Sequence, residues 1–108
     1  MHQTLVNTPP EQITLGLSQA KFSPGQIVAT PGSLKAMDEH ECPPLTLLTR
    51  HLAGDWGQVP KEDAQLNEQA VKCGDRILSS YLIAPKVTIW VITEWDRSVT
   101  TFLLPSEY

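Results

Sequence analysis

Arg50, His51, Asp55 and Trp56 crowd around one predicted helix end, and Asp96, Arg97 and Thr100 crowd around a later turn. If helix end and turn lie side by side, they form a cleft with cations, carboxylates, a histidine and a hydroxyl. Metal-independent ribonucleases use such parts: a base for the 2′-hydroxyl, a cation for the phosphate in the transition state, and a hydroxyl to position it. The same residues have a plain structural reading. Asp55 caps local backbone, Arg97 is a solvated turn residue, and His51 borders its helix.

Two other groupings carry chemistry. His40, Cys42, His51 and Cys73 have the residue types of zinc ligands. Their spacing matches no paired-ligand motif, and Cys73 falls on a helix face that wants an apolar residue, so no metal and no cofactor is expected. Trp56, Trp90, Trp95, Tyr81 and Phe102 form either an interaction surface or a core with a lid. Trp90 and Trp95 lie on one predicted strand at odd spacing, so one points inward when the other points out. An exposed tryptophan beside Arg97 is a typical hot-spot pair. Phosphate-cradling glycine loops, a nucleophile elbow and a basic stripe are all missing from the sequence.

The elements that must position these residues centre on 45–57. Leu45, Leu48 and Leu52 recur at helical spacing and make a buried stripe, with Leu47 and His51 at its border. Gly54 is the expected left-handed stop, and Trp56 follows it. Upstream, Ile13, Leu15 and Leu17 alternate as in a short edge strand, and 27–30 reads as a strand. Ser33 is the expected N-cap of a short helix to about His40, with Leu34 and Met37 inward. Pro43 and Pro44 open the second helix. A third helix spans about 60–73, with Leu66, Ala70 and Cys73 inward, and Gly74 ends it. The period then changes to two. Residues 76–83, 86–95 and 98–104 read as three strands, the middle one apolar on both faces and therefore central.

Composition bounds the function. A chain of 108 residues suits one domain. A net charge of −4 with a pI near 5.2 argues against a broad nucleic-acid surface and leaves only a small local patch for one. The early prolines, Pro9 and Pro10 among them, suggest a partly flexible extension over 1–21 ahead of one α+β domain over 22–108. The first residues lack the basic start and apolar core of an export signal, and no apolar run reaches the ~20 residues of a membrane helix. A cytoplasmic setting with reduced Cys42 and Cys73 is the expectation.

Several segments, in order, carry a resemblance. They are Gly25 to Gly32, Arg50-His51 to Gly54-Asp55-Trp56-Gly57, Trp90 to Glu94, Asp96 to Thr101, and Leu104 to Tyr108. Together they resemble small bacterial proteins carried on plasmids and integrated elements, known by the label "plasmid-related protein". The resemblance covers about 22 to the C-terminus and brings no activity with it. It implies a cytoplasmic bacterial setting and a role in defence, counter-defence or element maintenance.

The expected fold is α+β, with N-terminal helices packed on a three- to four-stranded antiparallel β-meander. The expected function is binding of a protein partner through Arg50, His51, Asp55, Trp56, Trp95, Asp96 and Arg97. The alternative is a metal-independent, toxin-type ribonuclease, whose helices-then-meander layout is similar by fold alone.

Overall fold

The computed structural model describes the strand Thr4–Leu5 and residues 20–108. Within them the chain runs β1 (Thr4–Leu5), β2 (Gln26–Ala29), α1 (Pro31–Glu39), α2 (Pro44–Leu52), α3 (Lys61–Cys73), β3 (Ile77–Ala84), β4 (Val87–Thr93), β5 (Val99–Leu103) and a closing 3-10 turn, Pro105–Glu107. The expected Ile13–Leu17 strand lies outside the described residues.

The fold is α+β, but the sheet is mixed rather than a pure antiparallel meander. Its order is β1-β2-β5-β4-β3. β3, β4 and β5 form the expected meander. β2 then joins in parallel beside β5, with Gln26 opposite Val99 and Ala29 opposite Phe102. Three helices separate β2 from β3, so no hairpin fixes the direction of β2. This addition also moves the middle of the sheet to β5. β4, expected at the centre, sits one place toward the edge and stops at Thr93, which leaves Trp95 in the following turn.

Strand alternation sorts the faces. Ile77, Ser79 and Tyr81 pair with Thr93, Val91 and Ile89, and of these Thr93 and Val91 pair in turn with Thr100 and Phe102. All are buried, together with Ile27 and Ala29 of β2. Met37 of α1 and Leu47, Leu48 and Leu52 of α2 pack on this face. Each such aliphatic side chain contributes about 1.5–3 kcal/mol on full burial.

Helix boundaries follow local chemistry. The N-cap of α1 is Thr30, not Ser33: Thr30 Oγ1 accepts from the Ser33 N–H at 3.1 Å. Pro31 pre-sets the first helical residue, so the cap falls just before it. Ser33 is instead buried and donates to the Phe102 carbonyl at 3.0 Å. α2 ends with Gly54 at φ +87°, as expected for a left-handed stop. α3 ends at Gly74, φ +80°.

The inward face of α3 differs from expectation. Leu66 is 61% exposed and Cys73 is exposed, while Asn67 and Ala70 are buried. The cause is on β3. Asn67 Nδ2 donates to the Leu78 carbonyl at 2.8 Å, and the Leu78 N–H donates to Asn67 Oδ1 at 3.2 Å. The amide side chain thus pairs with the strand edge as a neighbouring strand would. Two residues on, the Gln58 N–H donates to the Ser80 carbonyl and the Ser80 N–H to the Trp56 carbonyl. A Cβ on Gly57, φ +73°, would collide with the Ser80 carbonyl, so glycine is required at this approach.

Candidate functional site

The helix end and the β4–β5 turn do sit on one framework, but most of the expected site residues are spent on holding it together. His51 is 0% exposed. Its Nδ1 lies 2.6 Å from Ser79 Oγ and its Nε2 lies 2.9 Å from Thr93 Oγ1. Thr93 Oγ1 lies 2.7 Å from Thr100 Oγ1, and the Thr100 hydroxyl donates to the Pro24 carbonyl at 2.7 Å.

Counting protons along this chain fixes the tautomer. Thr100 gives its only hydroxyl proton to a carbonyl, so Thr93 must donate to Thr100. His51 Nε2 must then carry a proton and donate to Thr93. Nδ1 is left as the acceptor, and Ser79 donates to it. The relay runs Ser79, His51, Thr93, Thr100, Pro24 carbonyl, with the imidazole neutral. Burial, with a smaller push from Arg97, lowers the His51 pKa to about 3.

A neutral imidazole with both nitrogens engaged and no solvent contact cannot take a proton from a substrate hydroxyl. The ribonuclease scheme therefore loses its base. His51 also cannot touch a partner.

Trp56 is likewise inside, 6% exposed. Its ring stacks near Phe22 at 6.3 Å and meets His51 edge-on at 6.0 Å. Its indole N–H donates to Glu68 Oε1 at 3.1 Å. A large ring past a helix stop folds back because burying it removes much apolar surface from water. As members of an exposed binding patch, His51 and Trp56 are thus corrected by their burial.

Arg50 and Asp55 pair with each other, Nε to Oδ2, at 2.7 Å. The Arg50 hydrogen bond holds the Asp55 carboxyl below its ordinary range. The Arg50 guanidinium also lies 4.5 Å over the Tyr81 ring. Tyr81 is buried, which pushes its pKa up, and its hydroxyl donates to the Asp55 carbonyl at 2.6 Å.

Arg97 is not a solvated turn residue. It adopts φ +60°. Its Nη2 donates to the Ala70 carbonyl at 2.7 Å, and Nη1 donates to the Asp75 carbonyl at 2.6 Å and the Glu94 carbonyl at 3.1 Å. The guanidinium thereby adds a charged donor to a carbonyl of the last turn of α3 that the Gly74 N–H already meets, where a cation is also favoured by the helix dipole. It further lies 5.5 Å from the Phe22 ring centre. Asp96 Oδ1 accepts from the Ser98 N–H at 3.0 Å and remains exposed.

Of the seven expected residues, Trp95 is the large apolar one left in water, 66% exposed. Sequence reading missed the partners that hold the others: Ser79 and Thr93 on His51, Glu68 on Trp56, Asn67 on β3. Ser79, Thr93 and Asn67 are polar residues on inward faces, a pattern that marks buried hydrogen bonding.

His40, Cys42, His51 and Cys73 do not come together: among the described residues no three histidine, cysteine or acidic side chains are placed to hold a metal ion. Cys42 and Cys73 are free thiols, and burial pushes the Cys42 pKa up. No helix among the described residues is long and apolar enough to cross a membrane. Comparison with family models, with curated proteins and with solved structures found no match to the chain.

Proposed function

We propose that this protein acts by binding another protein, with Trp95 on the β4–β5 turn as the anchor, in the cytoplasmic mobile-element setting that its sequence resemblance implies. One observation carries the reading. An exposed tryptophan sits on a turn clamped to the end of α3 by the Arg97 hydrogen bonds. A rigid turn presents an aromatic anchor at little entropic cost on association, and tryptophan is the side chain most enriched where binding energy concentrates. Arg97 serves as the scaffold of this surface. Asp96 caps the same turn through the Ser98 N–H, while Arg50 and Asp55 pair with each other at the end of α2.

The test is a pull-down from host lysate with wild-type and Trp95→Ser protein, followed by calorimetry with the captured partner. Trp95→Ser is expected to weaken binding more than tenfold, about 1.4 kcal/mol, with an unchanged Tm. Lys61→Ala and Gln65→Ala on α3 serve as controls. Equal affinity for wild type and Trp95→Ser sinks the proposal.

A further inference from the structure

A second surface lies where α1 gives way to α2. The chain leaves α1 through a Schellman turn: the Cys42 N–H donates to the Met37 carbonyl at 2.8 Å and the Glu41 N–H to the Asp38 carbonyl at 3.2 Å. The residue at the left-handed position of this motif is normally glycine. Here it is Glu41, at φ +52°. A side chain there costs stability relative to glycine.

The turn borders an open cleft of about 670 Å³ lined by Leu34, Met37, Asp38, Glu41, Cys42, Pro43 and Pro44. Its walls are mostly apolar. Its charged groups are both carboxylates, and among the described residues neither Asp38 nor Glu41 enters an ion pair. Nearby charges do not cancel them. Lys35 lies 4.0 Å from Glu39 on the exposed side of α1, and Arg50, whose charge reaches Cys42 in the lining, is paired with Asp55. The C-terminal end of α1 adds further negative potential. The whole chain is acidic as well, at −4, so a second copy of it is a poor occupant.

We propose that this cleft docks a short basic segment of a protein partner, one apolar side chain entering beside Leu34 and Pro44 while flanking cations meet Asp38 and Glu41. The volume, about 670 Å³, falls within the range of pockets that hold drug-sized ligands and has room for one apolar side chain with its flanking residues. The apolar walls supply burial and the two carboxylates set charge preference, so specificity runs toward Lys and Arg. Glu41 keeps a strained conformation because its carboxylate is needed at the rim. The site is separate from the Trp95 turn and does not depend on that reading.

The test uses the full chain and three synthetic peptides: Ac-KKLFKK-NH2, Ac-KKSSKK-NH2 and Ac-EELFEE-NH2. Amide shift mapping by NMR is expected to place KKLFKK at Leu34, Cys42 and their neighbours, and both other peptides should bind at least tenfold more weakly. Asp38→Asn with Glu41→Gln should weaken KKLFKK at least fivefold. Glu41→Gly should raise the Tm and weaken KKLFKK together, a split that a purely structural glutamate does not produce. Trp95→Ser should leave peptide binding unchanged, which separates this site from the one above. Three outcomes overturn the proposal: KKSSKK binding as well as KKLFKK, shifts mapping away from the cleft, or hexylammonium alone competing at equal concentration, which would make the cleft a small-molecule site.

Discussion

His51 is buried without charge because its two nitrogens are matched, one as donor and one as acceptor, by hydroxyls on neighbouring strands. Protonating it in the fold would require Ser79 to reverse its hydroxyl in a dry interior. The folded pKa of about 3 lies below the unfolded value of 6.5. Between these values the unfolded chain binds the extra proton, so stability is full above pH 6.5 and is lost as pH falls toward 3. The expected loss from pH 7 to pH 4.5 is about 2–3 kcal/mol. That window stays above the Asp55 range, since Asp55 is itself depressed below 3.8. Urea melts at several pH values check this, and His51→Gln should flatten the slope while costing some stability at pH 7. A His51→Gln slope equal to wild type would show that another group titrates. Arg97 gives a second expectation at this scale. Arg97→Ala removes the charge-assisted donors from the Asp75 and Ala70 carbonyls, the latter keeping its bond from the Gly74 N–H, and should cost roughly 2–3 kcal/mol. Arg97→Lys should recover only part, because one ammonium cannot reproduce the guanidinium fork. A melting curve for Arg97→Ala that overlays wild type would return Arg97 to the solvent.

α3 illustrates how an element is oriented by one polar residue. Its apolar positions alone favour Leu66 facing in, yet Asn67 wins because the β3 edge offers an unpaired donor and acceptor at Leu78. Leaving those groups dry costs more than exposing one leucine. Asn67→Ala should therefore lower stability by about 1–3 kcal/mol, whereas Leu66→Ala should change it by less than about 0.5 kcal/mol. Chemical denaturation of both variants decides, and a larger effect at Leu66 would refute this orientation of the helix. The stop of α2 tests the backbone instead. At Gly54 a Cβ meets only the flexible end of Lys21, so the burden of Gly54→Val falls on φ. The expected cost is ~1–3 kcal/mol, read as a fall in Tm.

Across the whole molecule, the interior needs no covalent staple. Cys42 and Cys73 are free, one half-buried and one exposed. A disulfide between them would contribute about 3–4 kcal/mol through loop closure. The double variant Cys42→Ser, Cys73→Ser is expected to stay folded, and reducing agent should leave the wild-type melt unchanged. A large drop on reduction would mean that the thiols pair in solution. Stability rests instead on the continuous layer of Ile27, Ala29, Tyr81, Ile89, Val91 and Phe102 beneath α1 and α2. Among the described residues, no buried side-chain polar atom lacks a hydrogen-bond partner.

The sequence by itself determined what depends on neighbours along the chain. The period change after Gly74, the glycine stops at Gly54 and Gly74, the proline starts of α2 and the three C-terminal strands were legible because caps, turns and alternation act over a few residues. Tertiary structure alone decided the rest. The parallel seating of β2 beside β5 depends on a pairing between distant segments, which no local pattern encodes. The fate of the expected site was likewise settled at long range. His51 needed Ser79 and Thr93, Trp56 needed Glu68, and Arg97 needed the end of α3. Residue type announces that a polar group requires a partner; only the fold determines whether that partner is a ligand or the protein itself.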